Sequence, residues 1–216
     1  LLLSFLTLTQ TNIKAHIDYT FKSPVLQSST DLQPGAVSLF SNVKPNVNAR
    51  ITVMDATGGV TLSAIDENWT GFDEAFQPFI NIKQNANGYV EFKIEFLNAL
   101  NGNLQQQGQI PVTCIDVDGE TYDDGILYEQ DQVEYMPGYY DFKMTGGNLQ
   151  VVNPPNWVAI KNTSGFSYEG IDTVAKDVMA TVVNRNTSTF LLRIGALNTS
   201  DEESEIRYRS VYFKKF

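Results

Sequence analysis

The chain has 216 residues, of which 42% are hydrophobic, 12% aromatic and 19% charged, enough apolar surface for one sizeable core and too much for a disordered or low-complexity chain. Fifteen Lys plus Arg against 25 Asp plus Glu give a net charge of −10, which argues against nucleic acid or an anionic membrane surface as the main partner, because phosphate binding needs clustered cations. The one cysteine, Cys114, excludes an intramolecular disulfide, and together with the one histidine, His16, it is too little for the usual zinc sites or a histidine-assisted nucleophile.

In chain order, the apolar run Leu1 to Thr9 followed by Ile13-Lys14-Ala15 reads as the h-region and cleavage site of a secretory signal peptide over residues 1–15, without a starting Met or basic n-region and therefore truncated at its front. The run is shorter than the ~20 apolar residues needed to span a bilayer, so membrane insertion is not expected. The rest, 16–216, is expected to form one domain, and the end at Phe213-Lys214-Lys215-Phe216 suggests a chain that continues into further modules. A competing expectation makes the first strand one that is donated to a neighbour's sheet edge, as in a fibre subunit.

Period-two alternation begins at Ile51/Val53 and Val60/Leu62, and a single helical turn is expected over Gly71 to Phe76, stopped by Pro78. It is clearest from Gly88 to Asn98, where Val90, Phe92, Ile94 and Phe96 oppose Glu91, Lys93 and Glu95, as a strand with one buried and one wet face requires. It recurs at Ile110/Val112/Cys114, Val178/Ala180/Val182, Phe190/Leu192/Ile194 and Ile206/Tyr208/Tyr212. Turn signals such as Asn87-Gly88, Asp118-Gly119, Asp124-Gly125 and Pro154-Pro155 separate the runs. The spacing predicts an all-β fold, an antiparallel β-sandwich or jelly roll. No phosphate-binding glycine loop is present in the sequence, which disfavours nucleotide chemistry.

Residues 94–142 contain no Lys or Arg and ten acids, so the whole net charge belongs to this stretch. Clustered carboxylates repel one another unless water, salt or a cation screens them, and in an exported protein calcium is at hand. Asp116, Asp118, Asp123, Asp124 and Glu129 are therefore the candidate Ca²⁺ ligands, with Asp116 and Asp118 on one side if the strand before them continues. The spacing is not that of an EF-hand, and a solvated acidic face is the competing reading. Paired carboxylates also suit glycoside hydrolysis, with Glu91/Glu95 or Glu129/Glu134 as the pairs to consider. Trp69 and Trp157, in loop-like contexts, and Tyr168 are the candidate platforms for stacking a sugar ring, with packing in the core as the competing reading of such aromatics. Arg207 and Arg209 read as exposed strand charge or as cross-strand partners of the acids. Asn-x-Ser/Thr triplets begin at Asn68, Asn162, Asn186 and Asn198.

The aromatic strand Tyr89 to Phe96, the segment Ile115-Asp116-Val117-Asp118-Gly119, Glu129 and the run Ser188 to Arg193 resemble a module of large secreted, surface-associated bacterial proteins, of the kind expected in Bacteroidetes and other marine bacteria. Leu62 to Asp66 and Phe76 to Ile80 match its upstream part, so the resemblance covers nearly everything after residue 16. It implies an extracellular β-sandwich in an adhesin-like or matrix-like multidomain protein, with Asp116, Asp118 and Glu129 as its motif acids. The resulting expectation is a secreted, non-catalytic cell-surface module stabilised by Ca²⁺, whose partner is an extracellular glycan or another surface protein or module. The alternatives are a carbohydrate-binding module, a glycan-acting enzyme and the fibre subunit.

Overall fold

A computed structural model describes residues 18–67, 72, 74–136, 138, 140–144, 146–201 and 204–215. The proposed signal segment, His16 and Trp69 lie outside them, as do parts of the expected turn at 71–76. Of that turn, the Ala75 N–H bonded to the Phe72 carbonyl at 2.9 Å is described.

The strands run β1 (Val25–Leu26), β2 (Val37–Lys44), β3 (Val47–Ala56), β4 (Val60–Ala64), β5 (Phe79–Lys83), β6 (Asn87–Asn98), β7 (Gln107–Ile115) and β8 (Gly119–Thr121). They continue with β9 (Ile126–Glu134), β10 (Tyr140–Met144), β11 (Leu149–Val152), β12 (Trp157–Asn162), β13 (Ala180–Thr187), β14 (Thr189–Asn198), β15 (Ser204–Tyr208) and β16 (Ser210–Tyr212). A 3₁₀ turn at Lys176–Val178 precedes β13. The expected all-β class holds. A nine-stranded sheet ordered β1-β2-β3-β6-β14-β9-β12-β11, with β8 against β9, packs with a sheet ordered β10-β13-β7-β16 and a small one ordered β15-β5-β4. The pairings are antiparallel, and the sheets are layered as a sandwich.

The alternation read from the sequence places the core. Val90, Phe92, Ile94 and Phe96 of β6 are buried and meet Leu192 and Ile194 of β14, Val112 and Cys114 of β7, and Ile80 and Ile82 of β5 in one apolar cluster that joins all three sheets. Outer-face residues of β6 are tied down by charge: Glu91 accepts from Arg193 at 2.7 Å and Glu95 from Arg50 at 2.9 Å. Strand β9 departs from the pattern. Its inward residues are Leu127, Glu129, Asp131 and Val133, so two acids occupy core positions between two apolar ones. What they meet there defines the site.

Candidate functional site

Three segments bring charge to the place where the three sheets meet. Strand β7 of the four-stranded sheet ends at Ile115, and Asp116 turns the chain with φ +59°, a left-handed conformation that an aspartate tolerates better than most residues. The next residue, Val117, is buried and its N–H bonds the Val178 carbonyl at 2.9 Å. Asp118 then pairs with β9 of the nine-stranded sheet, giving its N–H to a Glu129 carboxylate oxygen at 3.2 Å and accepting the Glu129 N–H on its carbonyl at 3.0 Å. The third segment is β15 and the residue after it. Pairing of β15 with β5 fixes Arg207 opposite Ile80, and Arg209 follows between β15 and β16, its N–H on the Pro78 carbonyl at 3.1 Å.

The two arginines answer the acids. Arg207 Nη2 lies 2.6 Å from Asp118 Oδ1, its Nε 2.9 Å from Glu129 Oε1 and its Nη1 2.8 Å from Glu205 Oε1, with Glu120 at 3.6 Å. Arg209 is 1% exposed; it pairs with Glu129 Oε2, bonds Asp131 Oδ1 at 3.0 Å and approaches the Asp116 carbonyl at 3.5 Å. Burial lowers the Arg209 pKa to about 10, the surrounding carboxylates opposing that shift, so it stays a cation at neutral pH. The reading of Arg207 and Arg209 as exposed strand charge is therefore corrected in favour of cross-strand pairing. A buried carboxylate such as Glu129, 1% exposed, is tolerable only with a partner of opposite charge.

Asp116 has no such partner. It is 8% exposed, and its Oδ1 makes no hydrogen bond. Burial, reinforced by the Asp118 charge, raises its pKa to about 7 against the opposing pull of Arg209 and Arg207. Its side chain lines an open cleft of about 250 Å³ together with Asp118, Glu129, Arg207, Ile206, Tyr208 and, from the loop after β12, Tyr168 and Ile171. That loop is anchored by Asn162, whose Nδ2 donates to the Val117 carbonyl at 3.2 Å and whose Oδ1 accepts the N–H groups of Ser164 at 3.0 Å and Gly165 at 2.9 Å. The Tyr168 N–H bonds Asp118 Oδ2 at 2.7 Å, so the loop is stitched to the acidic wall. The Phe166 and Tyr168 rings meet edge to face at 5.0 Å.

The sequence candidates separate accordingly. Asp116, Asp118, Glu129 and Tyr168 come together in the cleft although β7 stops short of Asp118. Asp123 and Asp124 do not: they are exposed in the β8–β9 turn, closed by the Tyr122 N–H on the Gly125 carbonyl at 2.9 Å, and Asp124 accepts the Asp201 N–H at 3.0 Å. The screening for which calcium was invoked is supplied to Asp118 and Glu129 by guanidinium groups. Among the described residues no group of three or more His, Cys, Asp or Glu side chains is arranged to hold a metal ion. Trp157 opens β12 with the Arg193 guanidinium 3.9 Å over one face of its ring, so that face is taken. Of the carboxylate pairs considered for hydrolysis, Glu91 and Glu95 are in the ion pairs given above, Glu129 is held by both arginines, and Glu134 accepts the Leu191 N–H at 2.9 Å. Asn162 and Asn198 use their amides inside the protein, whereas Asn186 is exposed. Ile171, Ile206 and Tyr208 were not anticipated at the site.

No protein-family model matches the chain, and a search of curated proteins returns no relative. Among solved structures, the adhesin domain of PrgB from Enterococcus faecalis is similar at a TM-score of 0.49 and 9% identity, over 83% of this chain and 63% of that one. The same domain bound to DNA aligns at a TM-score of 0.40 and 10% identity, over 83% of this chain and 70% of that one. The chain thus spans less than two thirds of the first neighbour, and neither neighbour comes from the marine Bacteroidetes that the resemblance suggested. The exclusion of nucleic acid drawn from net charge is corrected as well: one of these neighbours is a domain bound to DNA. Net charge is a sum over the chain, whereas phosphate binding depends on local cations, and outside residues 94–142 this chain carries 15 acids and 15 Lys plus Arg. No helix among the described residues is long and apolar enough to cross a membrane.

Proposed function

We propose that this chain is a non-catalytic binding module of the extracellular, adhesion type, and that it meets its partner through the cleft formed by Asp116, Tyr168, Arg207 and Tyr208. One observation carries the reading: Asp116, on an open cleft, is a buried carboxylate that makes no ion pair and whose Oδ1 makes no hydrogen bond, while Asp118 and Glu129 beside it each have a guanidinium within ion-pair distance. A folded protein that leaves such a group unmatched gives up stability there, and such sites are where ligands complete the bonding. Two sides of the cleft are built on β9 and β15, and its third side is a loop held by Asn162 and by Asp118. Tyr208, 46% exposed and stacked on Phe79 at 4.3 Å, offers the kind of aromatic edge on which contact surfaces concentrate their energy. The reading rests on the cleft.

Beads coated with the chain test it, challenged in physiological salt with immobilised polymers of contrasting chemistry: poly-L-lysine, poly-L-glutamate, a neutral glucan and double-stranded DNA. The expected result is retention on one of these surfaces that Tyr208→Ala and Asp116→Asn abolish and Trp157→Ala leaves intact, the variants being checked for native circular dichroism. Retention indifferent to both cleft variants, or absent on every surface, overturns the reading.

A further inference from the structure

We infer that the cleft takes a primary ammonium group on an aliphatic stem, the lysine side chain of a protein partner, with Asp116 as its counter-ion. The inference rests on the cleft being the contact site and adds the chemistry of what enters it.

Charge selects the sign of the ligand. Arg207 and Arg209 are the two cations of the cluster, and Asp118, Glu120, Glu129, Asp131 and Glu205 are their ion-pair partners, so with Asp116 there are six acids to two bases. An anion has nothing to gain there. Arg207 lines the cleft but does not repel a second cation strongly, because four carboxylates lie within ion-pair distance of its guanidinium.

The number of open acceptors selects the kind of cation. Divalent calcium takes six to eight oxygen ligands, several of them anionic, and here two of the three lining carboxylates are already committed to guanidinium groups. A guanidinium ligand is best met by two acceptor oxygens in one plane. A single uncommitted carboxylate suits the compact point charge of an ammonium group. The lining suits its stem: Ile171, Ile206, Tyr168 and Tyr208 line the same cleft as Asp116, and lysine buries its methylenes while its head seeks charge. A neutral sugar would bring Asp116 no opposite charge.

The probe is Nα-acetyl-L-lysine methylamide, titrated into the isotope-labelled full chain while backbone amide shifts are followed, with the Nε-acetylated form as its uncharged counterpart. The expected result is saturable shifts centred on Asp116, Tyr168, Ile171 and Arg207, absent with the Nε-acetylated probe, weakened about tenfold or more by Asp116→Asn, and unchanged by Trp157→Ala. Equal responses to the two probes, or no response at the cleft, overturn the inference without recourse to any variant. Failure here is distinguishable from failure of the functional reading: bead retention that Tyr208→Ala abolishes on a surface lacking amines keeps the module and removes the ammonium ligand.

Discussion

Arg209 carries a full charge to a position that water hardly reaches, and the protein accepts this because Glu129 and Asp131 carry the opposite charge to the same place. Replacing Arg209 with Met leaves two buried carboxylates with one fewer cation between them, and removing one side of a buried ion pair costs about 3–5 kcal/mol. Arg209→Met should therefore lower the urea midpoint severely, while the triple variant Arg209→Met/Glu129→Gln/Asp131→Asn recovers much of the loss; a mild single variant would mean that the carboxylates find other partners. Asp116 behaves in the opposite sense. Its folded-state pKa of about 7 lies above the ordinary value of ~3.9, so its contribution is fully present below pH ~4 and is lost as pH rises through about 7. The loss is of order 2–4 kcal/mol at most. Asp116→Asn removes the titration, so its stability relative to the parent should rise between pH 4 and pH 8 and then level off. Urea midpoints at pH 4, 5.5 and 8 check this, and a pH-independent difference would show that Asp116 does not titrate in this range in the fold.

Strand β8 and the loop after β12 are fitted to each other so closely that two glycines decide the distance. A Cβ on Gly119 would meet the Leu127 carbonyl oxygen at 2.6 Å and the Gly165 Cα at 2.8 Å, and Gly165 itself has φ +61° with Ile126 Cγ2 2.6 Å from where its Cβ would stand. Gly165→Ala should cost about 1–3 kcal/mol through strain and displacement, and it should also free the Tyr168 amide from Asp118, seen as faster hydrogen exchange at Tyr168 than at Val133 in the core. Protection at Tyr168 equal to the parent's would show that the loop holds without this fit. At this scale the sequence was informative for β6, where four apolar residues alternate with three charged ones, and much less so for β9. Leu127, Glu129, Asp131 and Val133 share one face by the same period, but acids at two of the positions made the face look wet, and only a cation from 78 residues away makes it a core. A ten-acid stretch without a base was the available signal that such a cation had to come from elsewhere. The meeting of Asp116 with Asp118 was expected for the wrong reason: a left-handed residue brings them together where a straight strand was assumed. Tyr168 reached the site through backbone bonds that no residue pattern announces.

The apolar cluster is continuous across the three sheets, with Ile51 and Phe92 from the large one, Val112 and Val182 from the second and Ile80 from the small one. Sheets that share a core lose it together, so unfolding of the chain should be one cooperative transition, with far-ultraviolet circular dichroism and tryptophan fluorescence giving the same midpoint; separated midpoints would divide the chain into independent units. Net charge belongs to the same scale. The chain carries −10, yet of the acids that penetrate the fold at the cleft Asp118, Glu129 and Asp131 are matched by Arg207 and Arg209, Asp116 is not, and Asp123 and Asp124 stay in water. Apart from Asp116, the repulsion left over is therefore that of an exposed surface, which any salt screens at a Debye length of ~8 Å in physiological conditions, and one uncommitted carboxylate is too little for a calcium site. It follows that chelator, millimolar MgCl₂ and millimolar CaCl₂ at equal ionic strength should give the same melting midpoint. A specific calcium site filled at ~100 times its dissociation constant would instead add about 2.7 kcal/mol. A rise confined to CaCl₂ and removed by Asp123→Asn/Asp124→Asn would place a metal in the exposed turn, and one removed by Asp116→Asn alone would place it in the cleft, in competition with the ammonium group assigned there.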